Sequence, residues 1–302
     1  MQIKTTGRRA VIVGCARNCE AFLPAVLQNI ARIADLYAQT AFLFVVNDSV
    51  DNTREILQKW LSKRAHSSLI CLDGLLARET RRTARLAIAR NAYMEALQPD
   101  FAQFDHVVVL DFDNVNTNVI SKESFAAAIE FLDSSDQNAA VFANQLPYYD
   151  IWALRHDVWC PGDCWSEIES RPTYLPIHRA IERYVTNRQL EIHPSTPPLA
   201  VRSAFGGLAV YKLRFVRAAR YVGVRLDGSE VCEHVSFNEQ AARAGGVLHI
   251  FPLLLNRTPP EHISQRLSGI RRLAADLDPR SYKLYPKLSP VLRYARDLWA
   301  LR

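Results

Sequence analysis

The sequence predicts an α/β fold. A mainly parallel sheet is flanked by helices, with an irregular insertion rich in aromatics and proline and a basic C-terminal tail. Three observations predict this. Short unbroken apolar runs alternate with helix-period stretches through the first 145 residues. Residues 147–198 then hold seven of the fifteen prolines, with Trp152, Trp159 and Trp165 among the five tryptophans. From residue 266 onward nine basic residues face three acidic ones.

Each element follows from its pattern. Residues 10–13 form a short apolar run, as expected of a strand buried on both faces. Phe22, Val26, Ile30 and Ile33 recur at helical spacing. Residues 42–46 are a second buried run, closed by the polar turn 47–53. Ile56, Leu57, Trp60 and Leu61 mark the next helix, and residues 69–72 a third strand. A helix over 83–97 is closed by Pro99. A strand over 107–110, a helix over 121–132 and a strand over 139–143 complete the alternation. After the insertion, order returns as a strand (209–211), a helix (235–244) and a strand (247–251). The tail is expected to be partly helical, broken at Pro279, Pro286 and Pro290. Residues 1–265 are read as one domain and 266–302 as an extension.

Charge and composition exclude several classes. The 302 residues carry 37 Lys+Arg and 31 Asp+Glu, a formal net charge of +6. The tail accounts for all of it, so the body is neutral, unlike the spread of basic charge expected of a nucleic-acid enzyme. No run approaches the roughly 18 apolar residues of a membrane span. Residues 10–15 are too short for a secretion signal, which makes the six cysteines reduced thiols of a cytoplasmic protein. Cys160 and Cys164 lack a second pair at zinc-ligand spacing. In the tail, Leu284, Tyr285, Leu288 and Trp299 lie among basic residues. That mixture suits either an interfacial segment on the inner, anionic face of a membrane or a basic helix docked on the domain.

In open sheets of this kind ligands sit outside the carboxyl ends of the strands. Three stretches therefore matter most: Arg17-Asn18, Asp48 to Asn52, and Asp111 to Asn116. The strand 107–110 runs directly into Asp111-Phe112-Asp113. Two like charges at a buried strand end are costly unless neutralised, which a hard divalent cation would do; a solvated acid pair, or an N-cap for the next segment, is the plainer alternative. Asp48 suits hydrogen bonds to a nucleobase or ribose, and Asp51 suits a helix cap. Arg78, Arg81, Arg82, Arg85 and Arg90 are dense enough to hold a diphosphate, although a solvated helix face fits most of them. Residues 14–18 contain no Gly-rich phosphate loop, which argues against a nicotinamide dehydrogenase and a P-loop ATPase.

Five stretches taken together resemble a known family. They are Asn47 to Thr53, Ile88-Ala89-Arg90-Asn91, Asp111-Phe112-Asp113, Ser203-Ala204-Phe205-Gly206-Gly207, and Cys232-Glu233-His234-Val235. Their order resembles GT-A-fold glycosyltransferases, in particular the group of fungal capsule-associated mannosyltransferases and related bacterial and algal-virus enzymes. The first stretch departs from that pattern, which more often begins Glu-Asp. The likeness covers about residues 9–256.

The resemblance implies a GT-A, Rossmann-like fold with a donor-binding half over about 9–145 and an acceptor half over about 146–256. It implies a UDP- or GDP-linked sugar donor held by Arg17, Asn18, Asp48, Arg85, Arg90, Asp111 and Phe112. Asp111 and Asp113 would hold Mn²⁺ or Mg²⁺, with His234 or His249 as third ligand. Glu233 would be the catalytic carboxylate, a general base in an inverting enzyme or a steadying acid in a retaining one. Phe205, Gly206 and Gly207 would lie beneath the sugar and a glycan or lipid-linked acceptor, unless the two glycines are an ordinary turn before the next strand. By residue type Asp150 suits a sugar hydroxyl, and Trp152 or Trp165 suits stacking on a sugar ring, although packing of the insertion is the favoured reading for each tryptophan. Two other readings stand beside it: a sugar nucleotidyltransferase, and a carbohydrate-binding protein without activity.

Overall fold

In the computed structural model, which describes residues 7–97 and 103–260, eight strands form one sheet. The chain runs β1 (Arg9–Ala16), α1 (Leu23–Ala34), β2 (Gln39–Val46), α2 (Thr53–Leu61) and β3 (Ser67–Cys71). A short turn α3 (Leu75–Arg78) leads to α4 (Arg82–Ala96), β4 (His106–Asp111), α5 (Lys122–Asp133) and β5 (Asn138–Asn144). The insertion contributes α6 (Cys164–Glu169) and α7 (Ile177–Tyr184). Then come β6 (Leu199–Val201), β7 (Leu208–Lys212), α8 (Leu213–Val216), α9 (Glu233–Arg243) and β8 (Val247–Leu255).

The sheet order is β3-β2-β1-β4-β7-β5-β8-β6. β1 pairs in parallel with β2 and β4, β2 with β3, and β5 with β8. β7 is antiparallel to both β4 and β5, and β6 is antiparallel to β8. The alternation within β1 explains its unbroken apolar run. Val11 and Val13 enter the core beneath α4, α9 and the insertion, while Ala10 and Ile12 enter the core beneath α1, α2 and α5.

Most expected elements form close to their predicted bounds. α9 begins two residues early, at Glu233, so that both Glu233 and His234 lie in its first turn. The insertion contains helices that its proline-punctuated pattern concealed. Its tryptophans pack on the sheet core. A buried ion pair, Arg155 Nη2 to Asp163 Oδ2 at 2.6 Å, ties its two parts together. All six cysteines are free thiols. Pro99 and the tail lie outside the described residues, so the helix stop at Pro99 and the tail's expected helices and membrane contact do as well.

Candidate active site

The antiparallel β7 creates the site. Its first residue, Leu208, pairs with Leu110 near the end of β4. The turn before β7 is thereby laid against the turn after β4, and the Asp111 N–H donates to the Gly207 carbonyl at 2.9 Å. Gly206 (φ +64°) and Gly207 (φ +78°) both adopt the left-handed backbone that this approach needs. A cavity of about 330 Å³ opens at this edge of the sheet. The segments 15–19 and 111–114 line it, with Asn47, Arg82, Arg85, Arg90, Tyr149, Asp150, Trp152, Phe205, Glu233 and His234.

The acidic pair divides its work. Asp111 ends β4, with its side chain 24% exposed and Oδ1 accepting from Arg90 Nη2 at 2.9 Å. Asp113 Oδ1 accepts from the Val115 N–H at 3.0 Å and caps the 3₁₀ turn Asn114–Asn116. Phe112 borders the cavity but is mostly taken up by the core. It is 1% exposed, edge-on to Phe44 at 4.7 Å and against Gly14, so it locks the turn into the core. Hard oxygen donors at an open cavity fit a Mg²⁺- or Mn²⁺-type cation that keeps positions for water and phosphate. Among the described residues no three His, Cys, Asp or Glu side chains assemble into a metal cage.

Arg90 lines the same cavity. The helical phase of α4 turns it inward, 3% exposed, and its guanidinium bridges two carboxylates. Besides Asp111, Nε donates to Glu233 Oε1 at 3.0 Å. Arg85 Nη1 donates to the carbonyls of Glu79 and Thr80 at 2.9 and 2.6 Å, steadying the loop before α4 while lining the cavity. Arg78 and Arg81 are exposed. The cationic flank is therefore Arg17, Arg82 and Arg85 rather than the whole arginine cluster.

Asn18 (φ +52°) joins the first two strand ends. Its N–H donates to Ser49 Oγ at 3.1 Å, and its Oδ1 accepts from the Val50 N–H at 2.9 Å. Asp51 stands one residue before the N-cap of α2, which is Asn52, and its Oδ1 accepts from the Thr53 N–H at 3.1 Å, so it steadies the entry to the helix without being its N-cap. Asp48 is tied to the next loop: its two oxygens accept from the Gly74 and Leu76 N–H groups at 2.7 and 2.8 Å. Burial would raise its pKa. The Leu76 N–H, the Asn47 amide, the Gly74 N–H and Arg17 outweigh that and hold it below the ordinary carboxylate value. Asn47, not Asp48, faces the cavity.

His234 stacks on Phe205 with ring centroids 3.6 Å apart and meets Tyr221 edge-on at 5.5 Å. Burial first, then Arg90, push its pKa well below that of a free imidazole, so it is neutral. Neither ring nitrogen has a hydrogen-bond partner, and both are sealed from solvent. His234 lines the same cavity as Asp111 and Asp113. His249 lies on β8, edge-on to Phe131 at 5.0 Å, outside the cavity lining.

Asp150 is 6% exposed and faces the cavity. Its Oδ2 accepts from the Gly206 N–H at 3.0 Å and its Oδ1 from the Ala153 N–H at 3.4 Å. Burial pushes its pKa up to about 6, opposed by the Gly206 N–H and reinforced by the charge of Asp111. Trp152 lines the cavity, and Trp165 packs behind it edge-on at 6.5 Å.

Sequence reasoning missed a buried set of carboxamides beneath the glycine turn. Asn116 Nδ2 donates to the carbonyls of Asp111 and Gly207 at 2.9 and 2.7 Å. Asn256 Nδ2 and Gln145 Nε2 both donate to the Gly206 carbonyl at 2.6 Å. The one available signal was Asn116 itself, an amide close behind the acidic pair at a strand end.

No family model and no curated protein matches the chain. Among solved structures it is similar to mannosyltransferase PcManGT from Pyrobaculum calidifontis in complex with GDP-Man and Mn²⁺. The TM-score is 0.46 at 16% identity, over 85% of this chain and 59% of that one. It is similar to S. aureus TarS 1-349 in complex with UDP-GlcNAc, with a TM-score of 0.46 and 13% identity, over 89% and 64%. It is also similar to glucosyl-3-phosphoglycerate synthase from Mycobacterium tuberculosis in complex with Mn²⁺, UDP and phosphoglyceric acid. There the TM-score is 0.44 at 12% identity, over 89% and 75%. The chain thus spans less than two thirds of the first two proteins. At these scores the likeness carries no residue roles, which rest on the site alone.

Proposed function

We propose that the protein is a metal-dependent glycosyltransferase of the GT-A type. It moves a sugar from a UDP- or GDP-linked donor to a glycan or lipid-linked acceptor in surface-polysaccharide or glycoconjugate synthesis. The observation that carries this is the pairing of acids and arginines in one cavity at the carboxyl edge of the sheet. Asp111 and Asp113 line it together with Arg17, Arg82 and Arg85. A diphosphate is the ligand that needs both, through guanidinium pairing and a shared cation.

Asn18 and Asn47 line the end where the nucleoside would lie, with Asp48 next to Asn47 in the chain. A divalent cation between Asp111 and Asp113 would supply positive charge to the leaving diphosphate. The turn Phe205–Gly207, Asp150 and Trp152 would face the sugar. Two carboxylates are at hand for the acceptor hydroxyl. Glu233 is committed to Arg90. Asp150 has a proton affinity closer to neutrality, as suits a general base. No helix among the described residues is long and apolar enough to cross a membrane. Residence in the cytoplasm, with the basic tail on the inner membrane face, is part of the proposal.

The test is a screen of nucleotide-sugars with Mn²⁺, reading nucleotide release and the anomer formed. Asp111→Asn and Asp113→Asn are each expected to lower turnover at least about a hundredfold, within the range seen when transition-state charge loses its stabilising partner. Wild-type turnover that survives both substitutions would remove the reading. A nucleotidyltransferase would instead release pyrophosphate from a nucleoside triphosphate and a sugar phosphate. The absence of a Gly-rich loop between β1 and α1 disfavours it.

A further inference from the structure

We propose that Arg90 is a resident counter-cation that makes binding of the divalent metal conditional on a nucleoside diphosphate. This rests on the reading above and adds to it an order of binding and the residue that imposes it.

Arg90 occupies the position of a cation. Its Nη2 is 2.9 Å from Asp111 Oδ1, and its Nε is 3.0 Å from Glu233 Oε1. The guanidinium carbon lies 5.2 Å from the ring centroid of Phe205 and 5.8 Å from that of Tyr221. It is 3% exposed, and a guanidinium does not lose its proton. It therefore stays charged beside the carboxylate that a metal would use.

The charge count around the cavity gives this a consequence. The acids are Asp111, Asp113, Asp150 and Glu233, and the bases are Arg17, Arg82, Arg85 and Arg90. His234 is neutral. The cavity is thus balanced without any metal. A lone dication would add two positive charges next to a fixed one. A dication arriving with a nucleotide-sugar, whose diphosphate carries two negative charges, would leave the balance unchanged. Like charges a few ångströms apart in a partly buried site are penalised strongly enough to alter affinity by a factor of ten or more.

The experiment titrates Mn²⁺ into the full-length protein, with and without UDP or GDP, followed by calorimetry and by the EPR signal of free Mn²⁺. Wild type is expected to bind Mn²⁺ at least about tenfold more tightly with nucleotide than alone. Arg90→Gln is expected to bind Mn²⁺ alone at least about tenfold more tightly than wild type. Its melting temperature should also rise more on adding Mn²⁺. Arg90→Lys, which keeps the charge, should behave as wild type. A purely structural Arg90 would leave Mn²⁺ affinity equal or lower in both variants, and that result overturns the proposal. So does wild type binding Mn²⁺ equally well with and without nucleotide, a readout that does not depend on any variant folding. If the wild type transfers sugar yet shows that equality, only the role of Arg90 falls. If no nucleotide binds, the glycosyltransferase reading falls with it.

Discussion

The side-chain amide of Asn116 donates to the carbonyl of Gly207 at 2.7 Å, and so joins two turns 91 residues apart in sequence. The same amide holds the Asp111 carbonyl at 2.9 Å. One fully buried side chain thereby fixes the distance between the acidic pair and the glycine turn. Asn116→Ala leaves two carbonyls without this donor in a site closed to water. The expected cost is about 1–3 kcal/mol, read as a lower urea midpoint at unchanged m-value. Nucleotide affinity should fall with it, because the two turns are then joined only by the Asp111 N–H to Gly207 carbonyl bond named above. Wild-type stability and nucleotide affinity in the variant would show that the amide does not set this geometry.

Gly206 offers a test with an internal control. Its φ is +64°, and an added Cβ would meet Gln145 Nε2 and lie 2.7 Å from the Ala143 carbonyl oxygen. Gly228 has φ +85° but nothing within 4 Å of the same position. Gly228→Ala should therefore cost only backbone strain, about 1 kcal/mol. Gly206→Ala adds overpacking against backbone and should cost about 2–4 kcal/mol in all. Equal urea midpoints for the two variants would show that the turn before β7 has room to yield.

Much of this architecture is legible in the sequence because parallel strands buried on both faces write unbroken apolar runs. β1, β2, β4 and β5 announce themselves in that way, and Asp111 marks where β4 meets solvent. β6 is hidden by its three residues behind Pro197 and Pro198. The place of β7 between β4 and β5 is hidden because strand order depends on pairing across the whole chain. In the site, one-dimensional crowding misleads. Five arginines over residues 78–90 suggest one phosphate patch, yet Arg78 on α3 and Arg81 just before α4 stay in solvent, while α4 buries Arg90 and brings Arg82 and Arg85 to the cavity. Asp48 and Asp51 look alike in sequence. Only the path of the loop at Gly74 shows that Asp48 is also taken up by backbone N–H groups.

Asp150 makes a pH-dependent prediction whose sign can be worked through. Its folded pKa of about 6 lies above its unfolded value of 3.8, so the native state holds the proton more tightly. A carboxylate raised in this way is neutral and harmless below about pH 4. It becomes a buried charge as pH rises through 6, and stability falls across that window. The difference of roughly two units sets an upper bound of about 3 kcal/mol on the loss above pH 7. Asp150→Asn can still accept from the Gly206 N–H through its carbonyl oxygen but never ionises. In metal-free buffer the variant should therefore match wild type near pH 4 and exceed it by up to about 3 kcal/mol at pH 8, measured as urea midpoints. If the carboxylate also serves the acceptor hydroxyl, that gain comes with a loss of sugar transfer at unchanged nucleotide affinity. A stability difference independent of pH would mean that Asp150 is not held near neutrality by its burial.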